Sequence, residues 1–215
     1  MRRFIEDMES LTAETVRMGS LAADMIEDAV RSFVSRDTDL AERVVSDFDR
    51  VNRYDSEIEA DAIRVLTLYQ PVSSDLRRVA TILKCITYLE RIAKYSRNIA
   101  VATMYLADRQ PYEPVSLVGP MGETASRMVR IATDNLRDGS VEGFDRMIDM
   151  DDYLDSTMRD DLESIIGFIN THEGSADVCI YYISVLKYLE RVGDHACKIA
   201  EKVTFMVTGM RTTVC

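Results

Sequence analysis

Hydrophobic positions recur along most of this chain in steps of three and four. Phe4, Met8, Leu11, Met18, Ala22, Met25 and Ala29 set the rhythm, with Thr15 in the same stripe. That is the period of an amphipathic helix, and it predicts a first helix over about 3–35. Asp37-Thr38-Asp39 interrupts the pattern and supplies a cap for a second helix. Leu40, Val44, Val51, Tyr54, Ile58, Val65 and Leu68 carry that helix onward, and Pro71 ends it, because a residue before proline disfavours helix. Ser73, Ser74 or Asp75 can cap a third helix reaching Ala107. Asp108 to Gly122 reads DRQPYEPVSLVGPMG and holds three of the four prolines, so it predicts a linker. A fourth helix starts near 116 or 121 and stops at Asp138-Gly139-Ser140, where Ser140 can cap a fifth helix over about 141–170. His172-Glu173-Gly174-Ser175 is the next turn, and a sixth helix runs over about 176–208. No run alternates with period two for long enough to predict a strand.

The sixth helix is the most informative stretch. Tyr181 to Met206 reads YYISVLKYLERVGDHACKIAEKVTFM, with no proline and one glycine. Leu83 to Val101 reads LKCITYLERIAKYSRNIAV, and aligning Tyr88-Leu89-Glu90-Arg91 with Tyr188-Leu189-Glu190-Arg191 also aligns Ile99-Ala100 with Ile199-Ala200. An internal repeat of this size implies two similar units. The expected architecture is all-α: two tandem antiparallel three-helix bundles, residues 1–110 and 111–215, with coiled-coil-like packing of the spectrin kind.

The stretch L-E-R-V-G-D-H-A-C-K-I-A-E resembles the signature of the PhoU family, the phosphate-uptake regulators. Pro71-Val-Ser-Ser-Asp75-Leu76-Arg77 resembles that family's P-x-A-x-D-L-R. The resemblance extends over nearly the whole chain. It implies an adaptor between the ATPase of a phosphate ABC transporter and a phosphate-sensing histidine kinase. It also implies a homodimer, metal-binding carboxylate pairs, and a partner-contact role for Asp75 and Arg77.

Composition narrows the partners. A net charge of −11 makes a nucleic-acid backbone a poor ligand. The acidity is uneven, with 16 Lys+Arg against 19 Asp+Glu in residues 1–110 and 10 against 18 in residues 111–215. The opening MRRFIEDMESL lacks the apolar run of a secretory signal, and no stretch approaches the 18 apolar residues of a membrane span. A cytoplasmic location without membrane insertion is expected. Cys85, Cys179, Cys197 and Cys215 show no CxxC spacing, so they read as reduced thiols packed in or on helices.

Two carboxylate pairs carry the candidate chemistry. Asp151 and Asp155 are spaced i,i+4 on the fifth helix, and Glu190 and Asp194 are spaced i,i+4 on the sixth. Such pairs share a helix face and repel by a few tenths of a kcal/mol, which a bound cation offsets. An all-oxygen set suits magnesium and can also hold iron, manganese or zinc. In the family such pairs are the metal ligands. Asp152 and Glu201 are weaker candidates, and His195 points about 100° away from Asp194. The first unit departs from the pattern: Lys94 aligns with Asp194, Val101 with Glu201, Phe48 with Asp151 and Asn52 with Asp155. A metal site is therefore expected in the second unit only.

Other chemistries lack their residues. Neither His195 nor His172 has a Glu three residues before it, as a ferritin-like di-iron enzyme requires. The phosphate-binding glycine loop of nucleotide-hydrolysing enzymes is absent too. The alternatives to a phosphate-uptake adaptor are a carboxylate-bridged metal enzyme and an accessory module of another ion transporter.

Overall fold

A computed structural model describes residues 2–109 and 117–215. They form six helices: α1 (Arg2–Ser35), α2 (Thr38–Tyr69), α3 (Ser73–Leu106), α4 (Val118–Asp138), α5 (Phe144–Thr171) and α6 (Ala176–Thr208). No strand occurs among the described residues. The first three helices make one three-helix unit and the last three make the other.

The caps explain most boundaries. Asp37 accepts a hydrogen bond from the Leu40 backbone N–H at 2.9 Å and starts α2 as expected. Gly139 closes α4 at φ +62, a left-handed conformation that costs glycine little. Three expectations need correction. The residue before α3 is Val72, which makes no side-chain cap, so Ser73, Ser74 and Asp75 do not act as one. Ser140 turns back to the Asn135 side chain instead of capping α5, which begins three residues later than expected after Gly143. The linker is shorter than the proline cluster suggested, because α4 already includes Gly119, Pro120 and Gly122. Pro120 lies in the first turn, where its missing N–H has no helical acceptor to lose. Pro111 and Pro114 fall outside the described residues.

The units pack through α1 against α4 and α3 against α6, while α2 and α5 flank the outside. One continuous apolar core runs through both. The internal repeat is visible in these contacts. A Cβ on Gly19 would lie 2.3 Å from Thr133, and one on Gly122 would lie 2.5 Å from Val30. Gly19 aligns with Gly122 and Val30 with Thr133, so one close approach occurs twice about an axis between antiparallel α1 and α4. The α3–α6 seam does the same with rings: Tyr88 stacks on His195 and Tyr95 on Tyr188, each with centroids 5.7 Å apart. At the rim, Arg130 pairs with Asp24 at 2.7 Å and Glu27 at 3.0 Å across α1 and α4.

Candidate metal centre

Gly193 sets the approach of α5 to α6. A Cβ there would meet Leu154 at 2.6 Å and an Asp151 oxygen at 3.4 Å. Without a side chain, α6 lets α5 come close enough to hold Asp151 half-buried against it. Burial, then the charges of Asp155, Asp194, Asp152 and Glu190 in that order, push the Asp151 carboxyl up to about 6. The four predicted residues are therefore electrostatic neighbours around Asp151, with Asp152 added.

Their side chains are held differently. Glu190 is 15% exposed, and its Oε2 is buried without a hydrogen bond, although Lys187 Nζ lies 3.4 Å and Arg191 Nε 3.6 Å away. Asp194 pairs with Arg191 at 3.0 Å and is 39% exposed. Asp155 is exposed. An orphaned carboxylate oxygen and a crowded anion are what a hard cation would relieve, but no three of these carboxylates bring their oxygens within 4.8 Å of one another.

The weaker candidates lie elsewhere. Glu201 pairs with Lys198 at 2.8 Å and borders a groove with Lys84, Lys202 and Arg211. His195 is inside the α3–α6 seam between the rings of Tyr88 and Tyr95, and neither ring nitrogen has a hydrogen-bond partner. Burial and then Arg91 hold its pKa below the ordinary value, so the ring is neutral and packs as an aromatic. Asp75 is exposed on the first turn of α3. Arg77 reaches across to the end of α6, 3.5 Å from the Met206 carbonyl, and helps join the two units.

The cysteine expectation is overturned. Cys197 and Cys215 form a disulfide with Cα atoms 5.9 Å apart, while Cys85 and Cys179 are free and buried. Gly209 closes α6 at φ +74, and the segment after it turns back along the helix. That reversal brings Cys215 within 3.9 Å of the Met147 carbonyl on α5. Local spacing cannot reveal a pairing made by chain reversal. Cys197 Sγ also lies 3.8 Å from Asp151 Oδ1. Among the described residues, Asp151, Cys197 and Cys215 are the one group of three acidic, cysteine or histidine side chains whose ligand atoms all lie within 4.8 Å of one another.

In the first unit the same place is closed. Phe48 and Arg97 align with Asp151 and Cys197, and the Arg97 guanidinium sits 5.6 Å from the Phe48 ring centroid. That equivalent contact supports the alignment of α2 with α5. Lys94 is exposed where the second unit has Asp194.

Fold and site together define a duplicated all-helical bundle with an acidic cluster confined to one repeat. The family model described as "PhoU domain" matches twice, over residues 15–103 and 118–203. The chain belongs to the PhoU family. It is similar to the phosphate-specific transport system accessory protein PhoU homologue of Clostridium acetobutylicum, at 28% identity over 96% of this chain and 94% of that protein. The homologue of the same description from Caulobacter vibrioides is 29% identical over 99% of this chain and 93% of that protein. Among solved structures, PhoU from Pseudomonas aeruginosa superimposes with a TM-score of 0.92 at 26% identity, covering 96% of this chain and all of that one. No helix among the described residues is long and apolar enough to cross a membrane.

Proposed function

We propose that this protein is a cytoplasmic regulator of phosphate uptake that binds the ATPase of a phosphate ABC transporter and a phosphate-sensing histidine kinase. It acts by docking and not by turnover, and it holds uptake and the phosphate response down when phosphate is plentiful. The observation that carries this reading is the match of both halves to one family whose similar members are described as accessory proteins of phosphate-specific transport. Long exposed faces on α2 and α5 leave room for such partners and for a second copy of the chain. Asp75 belongs to the docking surface at one end, where Arg77 ties α3 to α6.

In this reading a multivalent cation sits on α5 and α6 of the second unit, held by Asp151, Asp155, Glu190 and Asp194. Its charge would neutralise the carboxylate crowding there. Arg191 and Lys187 hold the α6 pair in its absence and release it on binding. Magnesium, manganese, iron and zinc are all compatible with carboxylate ligation.

Deletion of the gene tests the regulatory role. Phosphate uptake and the kinase-dependent response should be derepressed in phosphate-rich medium and restored by complementation. Unchanged uptake and signalling in the deletion strain would end this reading.

A further inference from the structure

We propose that Cys197, Cys215 and Asp151 form a second, sulfur-containing metal site that exists when the cysteine pair is reduced. Its ligand is a thiophilic divalent cation such as Zn2+. The disulfide is the oxidised form of the same pair.

Three donor groups converge from three separate stretches of chain. Asp151 comes from α5, Cys197 from α6, and Cys215 from the segment that turns back after Gly209. Their ligand atoms already lie within 4.8 Å of one another. A tetrahedral zinc ion with sulfur at about 2.3 Å requires sulfurs roughly 3.8 Å apart. The Cα separation of 5.9 Å leaves room for that spacing once the sulfur–sulfur bond is broken. Cys215 belongs to the partly exposed segment after α6 and can supply the small movement. Two thiolates and a carboxylate leave one position for water. The donor chemistry differs from the carboxylate set beside it, since thiolates favour soft cations and carboxylates hard ones. Neither Cys85 nor Cys179 is available for this role, because both are buried in helix interiors. The first unit has no counterpart, because Arg97 and Phe48 occupy the equivalent positions. The site does not depend on any role in phosphate regulation; it shares Asp151 with the carboxylate set, and its two sulfur ligands set it apart.

Interconversion needs an oxidant, and a small-molecule disulfide suffices. The two protein thiolates lose two electrons and join as the Cys197–Cys215 bond. The sulfur–sulfur bond of the small disulfide breaks, and its halves take up those electrons and two protons from water to leave as two thiols. The metal ion is released because neither sulfur remains a thiolate.

Cobalt(II) is the probe, because a thiolate-to-cobalt charge-transfer band in the near ultraviolet appears only with sulfur ligation. The full chain, reduced with a phosphine and desalted without oxygen, should show this band at one equivalent of cobalt and lose it on adding zinc. The band should be retained in Cys85→Ser and Asp155→Ala, and lost in Cys215→Ser and in Cys197→Ser. Asp151→Asn should keep the band but weaken cobalt binding about tenfold or more. Treatment with a small disulfide should abolish the band and lower the thiols titratable in denaturant from four to two. The proposal is overturned if reduced wild-type protein shows no charge-transfer band. It is equally overturned if the band survives in Cys215→Ser or persists after the disulfide has formed.

Discussion

In the first unit, α2 offers Phe48 and α3 offers Arg97, and the guanidinium lies over the ring. In the second unit, the equivalent turns of α5 and α6 offer Asp151 and Cys197 in contact. Around them Asn52 becomes Asp155, and Lys94 becomes Asp194. One pair of helices thus carries an aromatic and cationic contact in one repeat and a group of carboxylates in the other. The scaffold allows this because the fold depends on other positions. Val44 and Met147, Val51 and Leu154, and Ala62 and Ile165 are aligned pairs, and every one is buried and apolar. The outward face could diverge freely while the inward face stayed hydrophobic. One inward position also diverged: Ile58 of α2, 1% exposed, aligns with Asp161 of α5, which is 5% exposed.

The largest expected effect removes the difference altogether. Asp155→Ala and Asp194→Ala should each abolish hard-cation binding, read by calorimetric titration with manganese, while Lys94→Ala leaves it unchanged. Binding that survives the double aspartate variant would mean that the four carboxylates are not the ligands. The reverse transplant sharpens the comparison: Phe48→Asp, Asn52→Asp and Lys94→Asp together should add a second equivalent of bound manganese. A stoichiometry that stays the same would show that more than these three positions separates the repeats.

Stability effects are smaller. Gly122→Ala drives a methyl into Val30 at the seam the repeats share. It should cost about 1–3 kcal/mol from overpacking, seen as a lower Tm. Gly167→Ala, with nothing within 4 Å, should instead gain about 0.5–1 kcal/mol, because alanine loses less entropy in a helix. A fall in Tm for both would mean that the close approach is not what distinguishes them.

The smallest effect makes α5 more like α2. Burial raises the Asp161 carboxyl above its ordinary value of 3.8. The folded chain then binds this proton more tightly than the unfolded chain, so the residue weakens folding progressively as pH rises above 3.8 and does so in full above the raised value. Asp161→Ile should stabilise by about 1 kcal/mol at pH 7, roughly 2–4 °C in Tm for a chain of this size. The gain should shrink as pH falls through the raised value toward 3.8. A gain independent of pH in thermal melts would assign the effect to packing alone.

The candidate carboxylates are legible in the sequence. The i,i+4 pairs Asp151/Asp155 and Glu190/Asp194 follow from helix periodicity, and the repeat alignment identified Lys94 as the departure in the first unit. The structure adds that Asp151 is the half-buried centre of this group, because Gly193 admits α5 at close range. It also adds that Arg191 and Lys187 already engage the α6 pair. Sequence reasoning missed Cys197 and Cys215. The available signal was the alignment of Cys197 with Arg97 next to the turn of Glu190 and Asp194, but nothing local predicts that Cys215 returns to it.

The sequence by itself determined the six helices and the duplication, since a 3.6-residue period and a repeated motif are properties of the chain read locally. It also determined which repeat carries the carboxylates, because like charges on one helix face depend only on spacing. Tertiary structure decided the rest. The glycines at 19 and 122 become contact points only when α1 and α4 lie antiparallel. His195 becomes a neutral ring in a stack only when α3 covers it. The two cysteines meet only because the chain reverses after Gly209. Spacing along one helix is fixed by covalent geometry, whereas the distance between residues on different segments is fixed by packing.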